Sequence, residues 1–177
     1  MRIVGGTFRG RQFNPPKNFN ARPTTDFAKE SLFNIINNNF YFDELNVLDL
    51  FSGTGSISFE FISREVTHVD AVEADFVHCK FIKDTALKLE IKNLMVFKAN
   101  AFSFIGRCTS RYDIIFSDPP YDLKGIDQIP EIVLSRGLLN DNGWLVLEHS
   151  ARYNFKDNPS LFDHRVYGSV NFSFFKK

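Results

Sequence analysis

Asp49-Leu50-Phe51-Ser52-Gly53-Thr54-Gly55 is the stretch that decides the fold, because it joins an apolar run at residues 47–50 to a helical pattern at residues 55–64. Glycines at such a turn let the backbone approach a ligand closely, and the helix that follows presents unpaired N–H groups. The turn lacks the full GxGxxG of a dehydrogenase and the GK[ST] of a P-loop. Taken alone, the turn is equally compatible with a purely structural role and with cofactor binding.

Outward from this turn, short apolar runs alternate with helical segments, which is typical of a parallel sheet covered on both faces. Strands are predicted at residues 47–50, 69–72, 95–98, 113–116 and 144–147. Helices are predicted at residues 55–64 and 75–89, after Ala101, and at 126–136. Residues 162–167 and 170–175 alternate like a hairpin that turns at Gly168. We therefore expect an α/β fold with a seven-stranded, mostly parallel sheet and an antiparallel C-terminal strand.

The composition favours one soluble domain. The chain has 177 residues, of which 44% are hydrophobic and 24% charged, enough to bury a core without a second domain. Cys79 and Cys108 lack metal-ligand spacing, so we expect reduced thiols and no metal. Neither a signal peptide nor an apolar stretch of about 20 residues is present, so we expect an intracellular protein without a membrane anchor.

The basic N-terminal segment points to a nucleic-acid partner, although the net charge of the chain is zero. Residues 1–30 hold six basic residues against two acidic ones. Glycines and prolines in the same segment favour loops or short strands, and a helix then begins after a cap at Thr24, Thr25 or Asp26. We expect residues 1–25 to form a basic extension on a catalytic core at 26–177. Its candidate RNA contacts are Arg2, Arg9, Arg11, Arg22, Thr24 and Thr25.

Glu73 follows the second predicted strand, about twenty residues beyond the glycine turn. A carboxylate at that place can accept hydrogen bonds from both hydroxyls of a ribose. The pattern fits NAD or S-adenosylmethionine, and it does not choose between them.

Asp118-Pro119-Pro120-Tyr121 follows the fourth predicted strand, where open α/β sheets place their ligands. This motif decides between NAD and S-adenosylmethionine. An exocyclic amine on a purine is a poor nucleophile because its lone pair is delocalised into the ring. The Asp118 carboxylate and the Pro119 carbonyl could both accept hydrogen bonds from such an amine and hold it near a sulfonium methyl group. The two prolines fix the backbone and remove competing N–H donors, and Tyr121 can stack on the base. We therefore predict methylation of an exocyclic base amine.

The sequence resembles the RsmD family of bacterial 16S ribosomal RNA guanine-N2 methyltransferases over nearly its whole length. The resemblance rests on Met1 to Gly6, Arg9-Gly10-Arg11, Arg22 to Asp26 with Glu30, Asp49 to Gly55, Glu60 with Ser63-Arg64, Glu73, Asp118 to Tyr121, and Tyr167-Gly168. The basic opening joined to Arg-Pro-Thr-Thr-Asp makes it specific. The chain departs from the family at Asn100, where an acidic residue is usual, and at Glu65-Val66, where Gly-Ala is usual.

The resemblance implies a Rossmann-like class I methyltransferase fold that uses S-adenosyl-L-methionine. It implies catalytic roles for Asp118 to Tyr121, and cofactor contacts from Asp49, Phe51, Gly53, Gly55, Glu73, Asn100 and Ala101. It also implies a cytoplasmic monomer that acts on 16S rRNA, within an assembling small ribosomal subunit.

Three alternatives remain at the level of sequence. Asp-Pro-Pro-Tyr serves adenine N6 as well as guanine N2, so another nucleic-acid amino-methyltransferase is the nearest. A non-catalytic RNA-binding assembly protein of the same fold comes next. Such a protein would be expected to have lost Asp118 or Gly53, and both residues are present. A small-molecule methyltransferase is third, and we would expect it to carry a lid in place of a basic arm.

Overall fold

The computed structural model describes residues 1–15 and 25–177. Its helices are α1 (Asp26–Asn37), α2 (Ser56–Ser63), α3 (Phe76–Lys88), α4 (Ala101–Ile105) and α5 (Ile129–Ser135). Its strands are β1 (Asn46–Leu50), β2 (His68–Glu73), β3 (Leu94–Lys98), β4 (Tyr112–Ser117), β5 (Leu139–His149), β6 (Leu161–Tyr167) and β7 (Val170–Lys176). Short 3₁₀ turns lie at Phe42–Glu44 and Ile126–Gln128.

The seven strands form one sheet in the order β3-β2-β1-β4-β5-β7-β6. Only β7 runs against the others, since β5 and β6 both pair with it in antiparallel fashion. On one side of β1 the sheet continues with β2 and then β3. On the other side it continues with β4 and the later strands. The order therefore reverses between β1 and β4, and ligands of open α/β sheets bind at such a reversal. The predicted seven-stranded, mostly parallel sheet is confirmed.

Alternate residues of the central strands enter two separate hydrophobic cores, because successive side chains of a strand point to opposite faces. Val47, Ile114, Phe116 and Val146 lie in the core under α1 and α2. Leu48, Ile115, Leu145 and Leu147 lie in the core under α4 and α5. Both faces of the sheet are covered, which explains why its central strands are mostly apolar and do not alternate strictly between apolar and polar residues.

The sequence located β5 only in part. Residues 144–147 were predicted, whereas β5 spans Leu139–His149. Its first half contains Asn140-Asp141-Asn142, residues that are depleted in strands, and Asn142 has a left-handed φ of 63°. Leu139 nevertheless pairs with Tyr112, and a shift of register follows before Ile114 pairs with Trp144. Tertiary pairing thus overrides the local preference.

In the described ranges, 1–15 and 25–177, no helix combines the length and the apolar character needed to cross a membrane.

Candidate active site

The turn after β1 is tightly constrained. Phe51, Gly53 and Gly55 all have left-handed φ values, of 61°, 55° and 76°. Such a φ is strained for Phe51, which is not a glycine. Ser52 holds the turn in place, because its Oγ lies 3.0 Å from the Asp49 carbonyl and 2.9 Å from the Val72 carbonyl. The backbone of the turn is therefore fixed at the end of β1.

Gly55 serves packing as well as backbone conformation. It caps α2 in the left-handed region, and a Cβ at this position would stand 3.0 Å from both Phe59 and Ile82. The space beside its Cα is thus filled by the protein's own side chains. Gly55→Val is expected to disturb this packing first, so that variant is a poor probe of ligand contact.

Glu73 links the glycine turn after β1 to the turn after β2. Its Oε2 accepts a hydrogen bond from the Gly53 backbone N–H at 2.8 Å, and its Oε1 accepts one from the Asp75 N–H at 2.8 Å. A carboxylate offers about four acceptor sites in all. Acceptor capacity therefore remains on Glu73 for the two hydroxyls of a ribose.

Asn100 and Ala101 lie after β3 on the same sheet edge. The Asn100 side-chain oxygen accepts a hydrogen bond from the Ser103 N–H at 3.1 Å and caps α4, which begins at the buried Ala101. Asn100 itself is exposed. This cap gives the amide a local structural task, which the sequence reading did not assign to it.

Asp118-Pro119-Pro120-Tyr121 leaves the end of β4 beside the glycine turn. The Asp118 N–H points to the Leu50 carbonyl at 3.5 Å, and the Pro120 carbonyl accepts a hydrogen bond from the Leu123 N–H at 2.9 Å. Pro119 is buried, Asp118 and Tyr121 are half-buried, and Pro120 is exposed. The Tyr121 hydroxyl donates to Glu148 Oε1 at 3.4 Å. The motif thus lines the reversal point opposite the turn at 51–55.

Three carboxyl groups face the same side of the sheet at this edge. Asp49 follows Val47 by two residues, Asp118 follows Phe116, and Glu148 follows Val146, so all three point to the face of the α1 and α2 core. Burial, together with the nearby charges of Glu148 and Asp49, raises the pKa of Asp118 well above its usual range. Strongly perturbed carboxyls in a cleft are typical of functional sites.

Burial also raises the pKa of Asp49, to about 7, and Glu73 adds to the shift while hydrogen bonds from Ser58 oppose it. Asp49 Oδ2 accepts from the Ser58 N–H at 3.0 Å and from its hydroxyl at 2.5 Å. Asp49 is 1% exposed. The Asp49 carboxyl therefore anchors the first turn of α2, which directly follows the glycine turn.

Asp49→Asn is expected to remove part of the pH dependence of stability. Between pH 4 and pH 7 the folded state holds a proton on Asp49 that the unfolded state has released, so the free energy of unfolding falls as pH rises. The slope is about 1.4 kcal/mol per pH unit at most. An amide keeps both contacts to Ser58 and carries no such proton. Urea unfolding at pH 4.5, 5.5, 6.5 and 7.5 checks this, and parallel curves for the two proteins would contradict it.

The N-terminal extension is docked on the end of α2. A Cβ on Gly6 would overlap the Ser63 carbonyl, and one on Gly5 would overlap the Arg64 guanidinium. Ser63 accepts the Thr7 N–H on its carbonyl at 2.6 Å and the Phe8 N–H on its Oγ at 2.9 Å. Glycine at residue 6 is therefore required for close approach of two backbones, whereas at residue 5 a side chain would meet only the guanidinium end of Arg64.

A buried ion-pair network completes the docking. Glu60 is fully buried, and its Oε1 accepts from the Val4 N–H at 2.8 Å and from Lys29 Nζ at 3.1 Å. Its Oε2 pairs with Arg64 at 2.6 Å. Lys29, only 2% exposed, also donates to the Arg2 carbonyl. The network joins the extension, α1 and α2 into one unit.

The predicted RNA contacts divide into three groups. Arg9 and Arg11 are exposed near the turn of a small hairpin, whose ends pair at Arg2 and Gln12. Arg2 forms an ion pair with Asp26 at 2.6 Å, and Thr25 caps α1 by accepting from the Ala28 N–H at 3.2 Å. Arg22 and Thr24 lie outside the described residues. Part of the basic charge of the segment is therefore used in internal contacts.

Sequence reasoning did not single out Glu148, or Lys29 with its partner Glu60, for these roles. Glu148 had an available signal, since an acidic residue directly follows the fifth predicted strand on the ligand edge of the sheet. Lys29 had none, because its partner lies 31 residues away on another helix.

The sheet order, the constrained turn after β1, Glu73 after β2 and Asp118 after β4 together define a Rossmann-like class I methyltransferase fold. The model of the family described as "Conserved hypothetical protein 95" matches residues 1–176. The chain is 36% identical over 149 residues to ribosomal RNA small subunit methyltransferase D of Escherichia coli, covering 84% of this chain and 71% of that one. It therefore belongs to the family of ribosomal RNA small subunit methyltransferase D, and it is a methyltransferase.

Two further similarities cover most of the chain. Ribosomal RNA small subunit methyltransferase D of Buchnera aphidicola subsp. Baizongia pistaciae is 29% identical over 154 residues, covering 87% of this chain and 78% of that one. The solved structure of yhhF from Escherichia coli superposes with a TM-score of 0.86 at 28% identity, covering 99% of this chain and 96% of that one.

Proposed function

We propose that the protein transfers a methyl group from S-adenosyl-L-methionine to the exocyclic N2 amine of a guanine in 16S rRNA. The observation that carries this proposal is the position of Asp118 to Tyr121 directly across the sheet reversal from the glycine turn, the Asp118 N–H pointing to the last carbonyl of β1. The names of the relatives support ribosomal RNA as the substrate.

The residues at the edge fit S-adenosyl-L-methionine. Glu73 would hold the ribose hydroxyls on its remaining acceptor sites, and Gly53 would orient Glu73 through its N–H. Phe51 and Gly55 would shape the turn, with Asp49 supporting it from below. Asn100 and Ala101 would meet the adenine at the start of α4. The bound cofactor would supply an electrophilic methyl group on its sulfonium.

Asp118 and the Pro119 carbonyl would accept the two hydrogens of the target amine. This holds the amine nitrogen in line with the methyl group, and alignment of this kind is a large contribution to rate. The nitrogen lone pair forms the new N–C bond, and the broken C–S bond leaves its electrons on sulfur. The methylated nitrogen then loses a proton to Asp118 or to water. Pro120 would fix the backbone and Tyr121 would stack on the base.

The substrate would be bound through the phosphates by Arg9 and Arg11, with Arg2, Arg22, Thr24 and Thr25 nearby in the chain. Phosphate contacts position a nucleic acid while the pocket reads the base. An assembling small subunit exposes segments that are later covered, and we place the protein on it as a monomer in the cytoplasm.

The proposal is tested with purified protein, methyl-labelled S-adenosyl-L-methionine, and either 16S rRNA or small subunits from cells that lack the gene. Nucleosides from the product are separated and identified by mass spectrometry. We expect label in N2-methylguanosine. Label in N6-methyladenosine, or label in neither substrate, would contradict the proposal.

Replacing Arg9 and Arg11 together with alanine is expected to raise the KM for RNA and to leave cofactor affinity unchanged. Each lost phosphate contact on single-stranded RNA flattens the log-log salt dependence by about 0.7, so the two together flatten it by about 1.4. The matched control is Lys83→Ala with Lys88→Ala, which removes two exposed charges from α3. Filter binding from 50 to 300 mM salt checks this. Equal slopes for wild type and the arginine variant would make the extension a structural element only.

A further inference from the structure

Glu148 stands beside the proposed amine-binding residue and is not used by the mechanism above. In the parallel register of β4 and β5, Phe116 faces Val146 and Ser117 faces Leu147. Continued by one position, the register sets Asp118 against Glu148, and neighbouring strands lie about 4.8 Å apart. Glu148 is 4% exposed. A carboxyl group is therefore held at the amine site on the next strand.

The surroundings of Glu148 keep it facing this site. The Tyr121 hydroxyl donates to its Oε1 at 3.4 Å, so the proposed stacking ring and the carboxyl group are linked. Its negative charge is one of the causes that raise the pKa of Asp118. Holding two carboxyls this close costs free energy in the empty site. A ligand that brings two hydrogen-bond donors would offset that cost.

Guanine brings two such donors next to each other. Its N2 amine is bonded to C2, and the ring nitrogen on one side of C2 carries the N1–H. In adenine the N6 amine is bonded to C6, and the adjacent N1 has a lone pair and no hydrogen. A carboxylate that faces N1 therefore accepts a hydrogen bond from guanine and repels adenine.

We propose that Glu148 is a specificity-determining residue that accepts the N1–H of the target guanine while Asp118 and Pro119 hold the N2 amine. This inference rests on the proposed function. It explains how Asp-Pro-Pro-Tyr, which can hold either amine, is restricted to guanine in this protein. Sites built to hydrogen-bond a polar group reject analogues that lack it far more strongly than apolar pockets reject a missing methylene.

The test compares guanine with 2-aminopurine at the methylated position. Both bases carry the 2-amino group, but N1 of 2-aminopurine has a lone pair in place of the hydrogen. The methylated nucleotide is first mapped by mass spectrometry, and the two bases are then introduced there by ligating synthetic RNA into 16S rRNA. For the wild type we expect kcat/KM to be at least about a hundredfold lower with 2-aminopurine.

Glu148→Gln should reduce this preference to about tenfold or less, because the carboxamide can donate to N1 of 2-aminopurine and no longer repels it. The matched control is Glu131→Gln, an exposed glutamate on α5, which should keep the wild-type ratio. Binding of S-adenosylhomocysteine to each variant confirms that the cofactor site is folded. The ratio of the two substrates is the readout that a purely structural role of Glu148 would leave unchanged.

The outcomes separate the two proposals. Absence of N2-methylguanosine with the natural RNA would overturn the proposed function itself. Methylation of guanine with an unchanged ratio in Glu148→Gln would overturn the role of Glu148 and leave the proposed function standing. If the variant fails to fold, the wild type decides, since similar kcat/KM values for guanine and 2-aminopurine would overturn the role of Glu148.

Discussion

Asp118→Ala is expected to lower kcat/KM for methyl transfer by at least about a hundredfold, the range seen when a positioned catalytic group is removed. The alanine leaves the target amine with only the Pro119 carbonyl as an acceptor, so the nitrogen is no longer held in line with the methyl group. Cofactor affinity should stay near that of the wild type, because Glu73 and the turn after β1 are unchanged.

The same substitution should not unfold the protein. Burial and the charges of Glu148 and Asp49 oppose ionisation of Asp118 in the folded state. Removing such a carboxyl is expected to leave stability unchanged or to increase it, as is common at strained functional sites. Thermal unfolding at neutral pH therefore separates lost chemistry from lost structure.

Asp122→Ala is the matched control, since Asp122 lies four residues further along the chain and is exposed. It should keep wild-type activity. Methyl transfer by Asp118→Ala within about tenfold of the wild type would remove Asp118 from the centre of the mechanism.

Glu60→Ala is expected to give the largest loss of stability, about 3–5 kcal/mol, which is the usual cost of breaking a buried ion pair by removing one partner. Among residues 1–15 and 25–177, the substitution leaves the buried Lys29 ammonium with the Arg2 carbonyl and with Asp26 at 3.6 Å as its partners. It also frees the Val4 N–H from its acceptor. Chemical denaturation monitored by Trp144 fluorescence measures the loss.

Replacing both charges, with Glu60→Leu and Lys29→Met together, should recover part of this loss, because neither charge is then left buried alone. Asp84→Ala is the surface control, since its pair with Lys80 is half-exposed and such pairs contribute about 0–1 kcal/mol. A loss of less than about 1 kcal/mol in Glu60→Ala would show that the extension does not depend on this network.

The sheet could be predicted from sequence because its strands are buried on both faces. Residues 47–50 and 113–116 are mostly apolar, with one aspartate in each, and the structure extends each predicted strand by one or two residues. The first half of β5 could not be predicted, because its polar residues 140–142 lie in a register shift, and Leu139 before them pairs with Tyr112 on a strand that the local sequence does not identify.

The candidate site was predicted at the level of its motifs. Asp118, Glu73 and the glycine turn meet at one sheet edge because parallel strands end there together. Their mutual contacts, such as Glu73 accepting the Gly53 N–H, depend on registers between strands that a single sequence does not encode locally.

For the basic extension, the sequence shows the number of charges but not which of them are used in internal contacts. Lys29 looks like a surface residue in an amphipathic helix, but it is buried against Glu60 from α2. Arg2 is likewise engaged by Asp26. A count of charges along the chain does not reveal ion pairs between residues that are 24 or 31 positions apart.

The most direct test of the central claim is mass spectrometry of 16S rRNA from cells that lack this gene, with cells restored by the wild-type gene or by Asp118→Ala for comparison. We expect one N2-methylguanosine to disappear from the deletion strain, to return with the wild-type gene, and to stay absent with Asp118→Ala. An identical set of N2-methylguanosines in the parent strain, the deletion strain and the two restored strains would contradict the account.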